Sequence, residues 1–249
     1  MQIRDEEYYT KKLFEYAQSA NFEGVKHVIA LGANFNAFYG DYLNDRNVLM
    51  DASKAGSLMI VKFLIEDCGV EPSLYPEWHF FIEACKSGNL ELVKYIHKLG
   101  AAFDVNDWDC SYNPAMAAIY FGHTHILDYL LSNGIDVHKG DRFEESLLPH
   151  AYNNLDAIKL MIEKYGADVN LPDEDNTLLH NIVSFGNFDT LKYVVENYSP
   201  NLFVKDMFGK TLLEVAQDIH TNQDNHFFKS RTKEEDLKII NYLKDKLEL

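Results

Sequence analysis

Residues Phe80–Asp104 read FFIEACKSGNLELVKYIHKLGAAFD, and two further stretches of the chain follow the same plan. These stretches are Pro114–Asp136 (PAMAAIYFGHTHILDYLLSNGID) and Leu178–Leu202 (LLHNIVSFGNFDTLKYVVENYSPNL). Each has a segment rich in small residues, a Gly, an apolar segment of helical period and a short stop. A pattern that recurs about every 33 residues predicts a stack of similar units that share one continuous core.

The repeat can be aligned on Gly88, which we expect to be the turn between two helices. Before this turn, small residues such as Ala84 and Cys85 predict a first helix that packs closely against its neighbours. After it, apolar residues at helical spacing predict a second helix that ends near a glycine. The equivalent turns fall at Ala20, Gly56, Gly122, Asn153–Asn154 and Gly186, and the helix stops at Gly32, Gly69, Gly100, Gly134 and Gly166.

The aligned repeat resembles the ankyrin repeat. The ankyrin consensus opens its first helix with T-P-L-H-x-A and its second with G-H-x-E/D-I/L-V, and it closes with G-A-D-V-N. Residues 209–216 (GKTLLEVA) are similar to the first motif, Gly88–Lys94 matches the second, and Gly166–Asn170 matches the third in full. The resemblance implies an all-α ankyrin-repeat solenoid of stacked helix-turn-helix units with short projecting loops and a C-terminal capping helix.

We expect a single ankyrin-repeat domain over residues 1–249. Its approximate units are 5–38, 39–73, 74–106, 107–140, 141–171, 172–205 and 206–249, and a polar insertion over 217–235 splits the last unit. The fifth unit departs from the pattern, because Asn153–Asn154 stand where Gly is expected and Pro149 falls early in its first helix. Proline is tolerated there because the amides of a first helical turn lack intrahelical partners.

Composition excludes several classes of function. The 249 residues carry a net charge of −16 without a basic stripe, so we expect no nucleic-acid binding. No apolar run approaches the ~20 residues of a membrane span. Three widely spaced cysteines suggest neither a disulfide framework nor a zinc knuckle, and the charged N-terminus lacks the features of a secretory signal. The expectation is a cytoplasmic protein that contacts no membrane.

The sequence contains weak motifs for enzymatic or metal chemistry. Gly209–Thr211 ends like a phosphate-binding loop, but Val204 stands where that motif needs its first Gly. His123 and His125 do not share a helix face, so a joint metal site is not expected. His220 and His226 in the insertion could belong to a weak metal-binding loop or to an ordinary surface loop. No nucleophile motif occurs. We predict no enzymatic activity, no catalytic residues, no metal and no cofactors.

The aromatic residues predicted to lie on the projecting loops point to protein binding. In the ankyrin repeat these loops form fingers along one edge, and exposed positions of the first helices line the concave side, here including Lys54, Lys86, Tyr120 and Phe185. Aromatic rings beside acidic residues are typical of binding hot spots. A different interpretation is that the rings fold back on neighbouring fingers. The candidate partner-binding residues are Tyr39, Tyr42, Tyr75, Trp78, Trp108, Tyr112, Tyr120, Arg142, Phe143, Asp173, Glu174 and Phe208.

These observations favour a non-enzymatic protein–protein interaction module that binds one basic or neutral protein partner and is monomeric when free. One specific form is an inhibitor or immunity-type protein. The alternative is an adaptor or effector scaffold that recruits partners through its divergent termini, and an enzyme is a third class. Trp78→Ala combined with Trp108→Ala is predicted to abolish partner binding without unfolding the chain.

Overall fold

The computed structural model describes residues 2–40, 46–72, 79–102, 113–138, 146–172, 176–222 and 231–248, with side chains from residue 5 onward. The candidates Tyr42, Tyr75, Trp78, Trp108, Tyr112, Arg142, Phe143, Asp173 and Glu174 lie outside these residues, as does His226. The chain forms two compact units, Met1–Asn133 and Gly134–Leu249.

Helical pairs joined by tight turns make up the described part of the first unit. The pairs are α1 (Gln2–Gln18) with α2 (Phe22–Ala30), α3 (Val48–Lys54) with α4 (Leu58–Lys62), α5 (His79–Ser87) with α6 (Leu90–Lys98), and α7 (Pro114–Tyr120) with α8 (Thr124–Ser132). Helix α4 continues into one π-helical turn, Phe63–Asp67. Two short antiparallel strands, β1 (Phe38–Tyr39) and β2 (Arg46–Asn47), connect the first two pairs.

The second unit has the same plan with a modified start and end. A 3₁₀ turn, Leu148–Ala151, precedes α9 (Leu155–Lys159), which continues into a π-helical turn, Leu160–Lys164. The next elements are α10 (Leu178–Phe185), α11 (Phe188–Tyr198), α12 (Leu212–Thr221) and α13 (Lys233–Lys246).

Polar caps explain where most of the second helices begin. Asn89 follows the turn glycine of its repeat, and its side-chain oxygen accepts hydrogen bonds from the amides of Glu91 and Leu92, both 3.1 Å long. Such a bond satisfies an amide that has no intrahelical partner, and losing it costs about 1 kcal/mol. Equivalent caps stand at Asn21, Ser57, Asn154 and Asn187.

The core lies between neighbouring helices, as the repeat predicted. Ala52, Ala84 and Ala117 are fully buried, and their first helices α3, α5 and α7 contact one another in order. Small side chains permit this close approach, while buried Ile60, Leu92 and Ile126 of the second helices fill the layer behind. Every predicted helix stop has a positive φ, namely Gly32, Gly69, Gly100, Gly134 and Gly166.

Polar side chains also join neighbouring repeats at the turns. The side-chain amide of Asn89 donates to the carbonyl oxygen of Gly56 at 2.8 Å. One repeat further on, Nε2 of His123 lies 2.9 Å from the carbonyl oxygen of Lys86, and Nε2 of His125 lies 3.0 Å from that of Gly88. Both imidazoles are therefore occupied by backbone groups of the preceding repeat.

Tyrosines connect successive second helices in the same way. In the first unit, the Tyr95 hydroxyl donates to Glu66 at 2.9 Å, and the Tyr129 hydroxyl lies 2.7 Å from Nδ1 of His97. In the second unit, the Tyr198 hydroxyl donates to Glu163 at 2.6 Å. Hydrogen bonds thus link the repeats in addition to apolar packing.

The repeat that contains Pro149 differs from the expectation of a first α-helix. Its described residues form only the 3₁₀ turn Leu148–Ala151, since the chain turns at Asn153–Asn154 before an α-helix can develop. Part of the predicted polar insertion 217–235 is helical in the structure. Helix α12 continues to Thr221, and α13 already begins at Lys233, so both margins of that stretch are helical.

Arg231 attaches the C-terminal helix to the rest of the second unit. Its guanidinium donates to the carbonyl oxygens of Val183 and Gly186 at the end of α10, the latter at 3.1 Å. Its Nε also donates to Asp236 at 2.6 Å, and both side chains are almost fully buried. A buried charge pair with these carbonyl acceptors satisfies most of the donors of the arginine.

The Gly209–Thr211 segment has a structural role at the start of α12. The Thr211 hydroxyl accepts from the amide of Glu214, and the Glu214 carboxylate accepts from the amide of Thr211 at 2.7 Å. This reciprocal arrangement is a capping box, as expected for a repeat helix. No helix within the described ranges combines the length and apolar character that crossing a bilayer requires.

Candidate functional site

An open groove lies between α1 and the segment that follows α2. It has a volume of about 640 Å³, and its walls are mostly apolar. Such a volume falls in the usual range for ligand-binding clefts. The lining residues are Glu6, Glu7, Thr10, Lys11, Phe14, Glu15, Gln18, Asn34, Ala37, Phe38 and Tyr39. We call this site the N-terminal groove.

Local hydrogen bonds hold the two walls of the groove together. The amide of Asn34 donates to the Thr10 hydroxyl at 2.8 Å, which fixes the loop against α1. The Asn34 side chain then accepts from the amide of Asn36 at 3.0 Å and turns the chain. The rings of Phe14 and Tyr39 pack with their centroids 4.3 Å apart. The floor of the groove is therefore formed by residues already fixed in the fold.

The rim of the groove is acidic. Glu6 and Glu7 are exposed, and the nearby Glu15 pairs with Lys12 at 2.6 Å. The hydrogen bond from Lys12 lowers the pKa of Glu15. An apolar floor beneath a negative rim favours an apolar side chain flanked by positive charge.

A second cavity of about 550 Å³ adjoins the groove and shares Gln18 and Tyr39 with it. Its other lining residues are Arg46, Asp51, Lys54 and Ala55. We call it the polar cavity. Its central group is the carboxylate of Asp51, whose residue is only 1% exposed.

The carboxylate of Asp51 is held by three donors. The Tyr39 hydroxyl lies 2.7 Å from Oδ2, Nε of Arg46 donates to Oδ1 at 3.1 Å, and the Gln18 amide donates to Oδ2 at 3.2 Å. Burial, and then the hydrogen bond to Asp51, raise the pKa of Tyr39. Burial alone would lower the pKa of Arg46, but the charges of Glu83 and Asp51 outweigh it and raise this pKa.

Three of the twelve sequence-predicted binding residues fall in the described part of the chain, at separate places. Tyr39 lies between the two cavities, and its hydroxyl is bonded within the fold. Tyr120 ends α7 and is 41% exposed. Phe208 belongs to the second unit, in the loop before α12. Of these three described candidates, Tyr39 alone lines the N-terminal groove.

The loop before α12 presents apolar side chains on a rigid turn. The Asp206 carboxylate accepts from the amides of Phe208 and Lys210, at 2.9 and 2.8 Å. Phe203 and Phe208 are 77% and 75% exposed, and Met207 is also exposed. Exposed rings on a fixed turn bind with little loss of conformational entropy. We call the three side chains the Phe208 finger.

Several residues of the site were missed by reasoning from sequence. Phe14, Gln18, Arg46, Asp51 and Glu83 are not among the residues that the sequence analysis selects. A signal was present, since Asp51 and Glu83 interrupt otherwise small and apolar first-helix segments. Among the described residues, no cluster of three or more His, Cys, Asp or Glu side chains is arranged to hold a metal.

The family models and a solved structure that match this chain all belong to one family. Family models described as ankyrin repeats match residues 49–141 and 149–195, which together make up more than half of the chain. The crystal structure of the human ASB11 ankyrin repeat domain superposes with a TM-score of 0.66 at 22% identity, covering 91% of this chain and 96% of that domain. This structural likeness concerns the fold alone.

Three curated relatives match at similar levels. Ankyrin repeat protein R837 of Acanthamoeba polyphaga mimivirus is 26% identical over 82% of this chain and 29% of its own length. Alpha-latrocrustotoxin-Lt1a of Latrodectus tredecimguttatus is 25% identical over 59% of this chain and 12% of its own length. Ankyrin repeat protein nuc-2 of Neurospora crassa is 30% identical over 41% of this chain and 10% of its own length. The matched region is less than a third of each relative.

Proposed function

Because the chain belongs to the ankyrin repeat family, whose repeats are protein–protein interaction modules, we propose that it binds one protein partner through an acidic, aromatic-rich edge and the adjoining concave positions. The proposal assigns no enzymatic chemistry to the chain. It includes the expected cytoplasmic location and a monomeric free state.

The N-terminal groove is the observation that carries this proposal. Phe38 is 49% exposed in the wall of the groove, which the packed rings of Phe14 and Tyr39 also line. Large rings in a preformed cleft supply contact area at a low entropy cost, and the acidic rim adds selectivity for a positively charged partner. The Phe208 finger provides a second exposed apolar surface of the same kind.

The net charge of −16 supports a specific form of the proposal, in which the chain inhibits a basic partner by covering its surface. A field of this sign accelerates the association of a cationic protein, and added salt weakens that effect. The on-rate should therefore fall as ionic strength rises. An on-rate independent of salt would remove electrostatic steering from the proposal.

Phe38→Ala tests the groove directly. Proteins captured from the native host lysate by the wild-type chain are identified, and the affinity of the recovered partner is then measured for each variant by biolayer interferometry. We expect Phe38→Ala to weaken binding at least tenfold, since truncation of a central aromatic residue typically costs more than about 1.4 kcal/mol.

Met59→Ala is the matched control, because Met59 is an exposed apolar residue of the second helix α4 and is absent from the groove. It should leave both affinity and melting temperature unchanged. If Phe38→Ala binds the recovered partner as tightly as wild type, the groove is not the binding site. Unfolding of Phe38→Ala would instead assign this ring to the core.

A further inference from the structure

The Asp51 carboxylate and the Tyr39 hydroxyl of the polar cavity already accept hydrogen bonds. Both oxygens of Asp51 accept bonds from Tyr39, Arg46 or Gln18, and the Tyr39 hydroxyl itself accepts from the Gln18 amide at 2.7 Å. A carboxylate and a hydroxyl in this state have little capacity left for another donor. A cationic ligand would therefore have to displace bonds that the fold already makes.

Donors in the same cavity remain available. Nη2 of Arg46 is buried and has no hydrogen-bond partner among the residues that the structure describes. Lys54 lines the cavity from the end of α3, is exposed, and forms no ion pair with any described residue. A ligand that supplies an acceptor to this unpaired donor would make a hydrogen bond that the fold leaves unmade.

The local charge has the same sign as these donors. Arg46 pairs with Asp51 at 3.1 Å and approaches Glu83 at 3.9 Å, and Lys86 pairs with Glu83 at 3.3 Å. Glu83 has one oxygen without a hydrogen bond, but it does not line the cavity. Among the residues that line the cavity, the two cations Arg46 and Lys54 exceed the one anion Asp51 by a single charge. A single negative charge would complete the site.

We infer that the polar cavity is a binding subsite for the carboxylate of an Asp or Glu side chain of the partner, held by Nη2 of Arg46 and the ammonium group of Lys54. This inference rests on the proposed function. Because the cavity shares Gln18 and Tyr39 with the N-terminal groove, the acidic residue lies next to an apolar residue that occupies the groove. The subsite adds a preference for an acidic residue of the partner, which an acidic protein surface would otherwise repel.

Peptide display on the full chain tests this subsite. Random twelve-residue peptides are selected on the immobilised wild-type chain, and peptides whose binding is lost in Phe38→Ala are synthesised with amidated C-termini, so that only side-chain carboxylates remain. Each peptide is made in two forms, one with its Asp or Glu residues and one with Asn or Gln in their place. Fluorescence anisotropy then gives both affinities.

We expect the selected peptides to contain an acidic residue beside an apolar one, and the amide forms to bind the wild-type chain at least tenfold more weakly. In Lys54→Gln this difference should shrink to about threefold or less. Arg46→Lys keeps the positive charge but removes Nη2, so it should have a similar effect. Lys98→Gln, which removes an exposed charge at the end of α6, should retain the full difference.

The outcomes separate the subsite from the proposed function. Equal binding of the acid and amide forms overturns the subsite and leaves the groove intact as a binding site. The same tenfold difference in wild type, Lys54→Gln and Arg46→Lys also overturns it, because the carboxylate would then be recognised elsewhere. If no peptide depends on Phe38, the groove fails as a peptide-binding site, and the subsite fails with it, while the recovered partner still tests the proposed function.

Discussion

The imidazole of His123 occupies the space beside Gly88 of the preceding repeat. A Cβ atom at Gly88 would stand 2.7 Å from Cε1 of this ring, and the backbone at Gly88 has a φ of +81°. A glycine is thus required for two reasons: the backbone conformation disfavours any side chain, and the His123 ring leaves no room for one. Nε2 of the same ring bonds to the carbonyl of Lys86, so the ring cannot move away without losing that bond.

Gly88→Ala should therefore destabilise the chain more than an ordinary glycine substitution at a left-handed turn. We expect a loss of about 2–3 kcal/mol in the free energy of unfolding, against about 1 kcal/mol for the conformation alone. Urea denaturation followed by circular dichroism measures both values. Gly122→Ala is the control, because its φ is +76° and nothing lies within 4 Å of the added Cβ. Equal losses would show that His123 does not crowd the site.

Asp51→Ala should be among the most destabilising substitutions at the polar cavity. It leaves the Arg46 guanidinium and the Tyr39 hydroxyl without their shared acceptor, and breaking a buried charge pair costs about 3 kcal/mol. Tyr39→Phe removes the bond that the hydroxyl donates to Asp51 and the one that it accepts from Gln18, but it leaves the charge pair in place, so it should cost only about 1–2 kcal/mol. Chemical denaturation gives the free energy of unfolding of both variants. If Asp51 were solvated, Asp51→Ala would lose no more of it than Tyr39→Phe.

Alkaline pH should weaken the link between Tyr95 and Glu66. Burial, and then the hydrogen bond to Glu66, raise the pKa of Tyr95 to about 12. Because the pKa of an unfolded tyrosine is about 10, this contribution to stability is complete below pH 10 and is lost as pH rises toward 12. The urea midpoint should fall more for wild type than for Tyr95→Phe between pH 9 and 11.5. Parallel curves for the two proteins would contradict the raised pKa.

Phe208→Ala should separate binding from folding in the second unit. With 75% of the residue exposed, its truncation should change the free energy of unfolding by less than about 0.5 kcal/mol. If the finger contacts the partner recovered with the wild-type chain, we expect at least a tenfold loss of affinity. Leu237→Ala, which truncates an exposed residue of α13, serves as the control. Unchanged affinity in both would exclude the finger from the binding surface.

The helical pairs could be predicted from sequence because their determinants are local. Periodic apolar residues, an Asn cap such as Asn89 and a stop such as Gly100 all lie within one repeat, and the structure confirms them. The 3₁₀ turn at Pro149 shows the limit of this reasoning. A proline at this position is compatible with an α-helix, but the segment between it and the turn at Asn153–Asn154 is too short to form one.

The sites were harder to predict because their residues meet across repeats. Asp51 collects donors from α1, β1 and β2, and no spacing in the sequence indicates that Gln18 reaches it over 33 residues. Tyr39 was selected as an exposed aromatic residue, yet its hydroxyl and ring are both engaged in the fold. The nine candidates outside the described residues stay predictions.

The tyrosine links between second helices bear on how such a chain changes its length over evolution. Tyr95 and Tyr129 each stand seven residues after the turn glycine of their repeat, Gly88 and Gly122, and each forms a hydrogen bond with a side chain on the repeat before it. The repeat of Tyr95 also carries His97, the partner of the next tyrosine. Because this repeat brings both halves of the link, duplicating it would place a second tyrosine next to a His97 at the new junction.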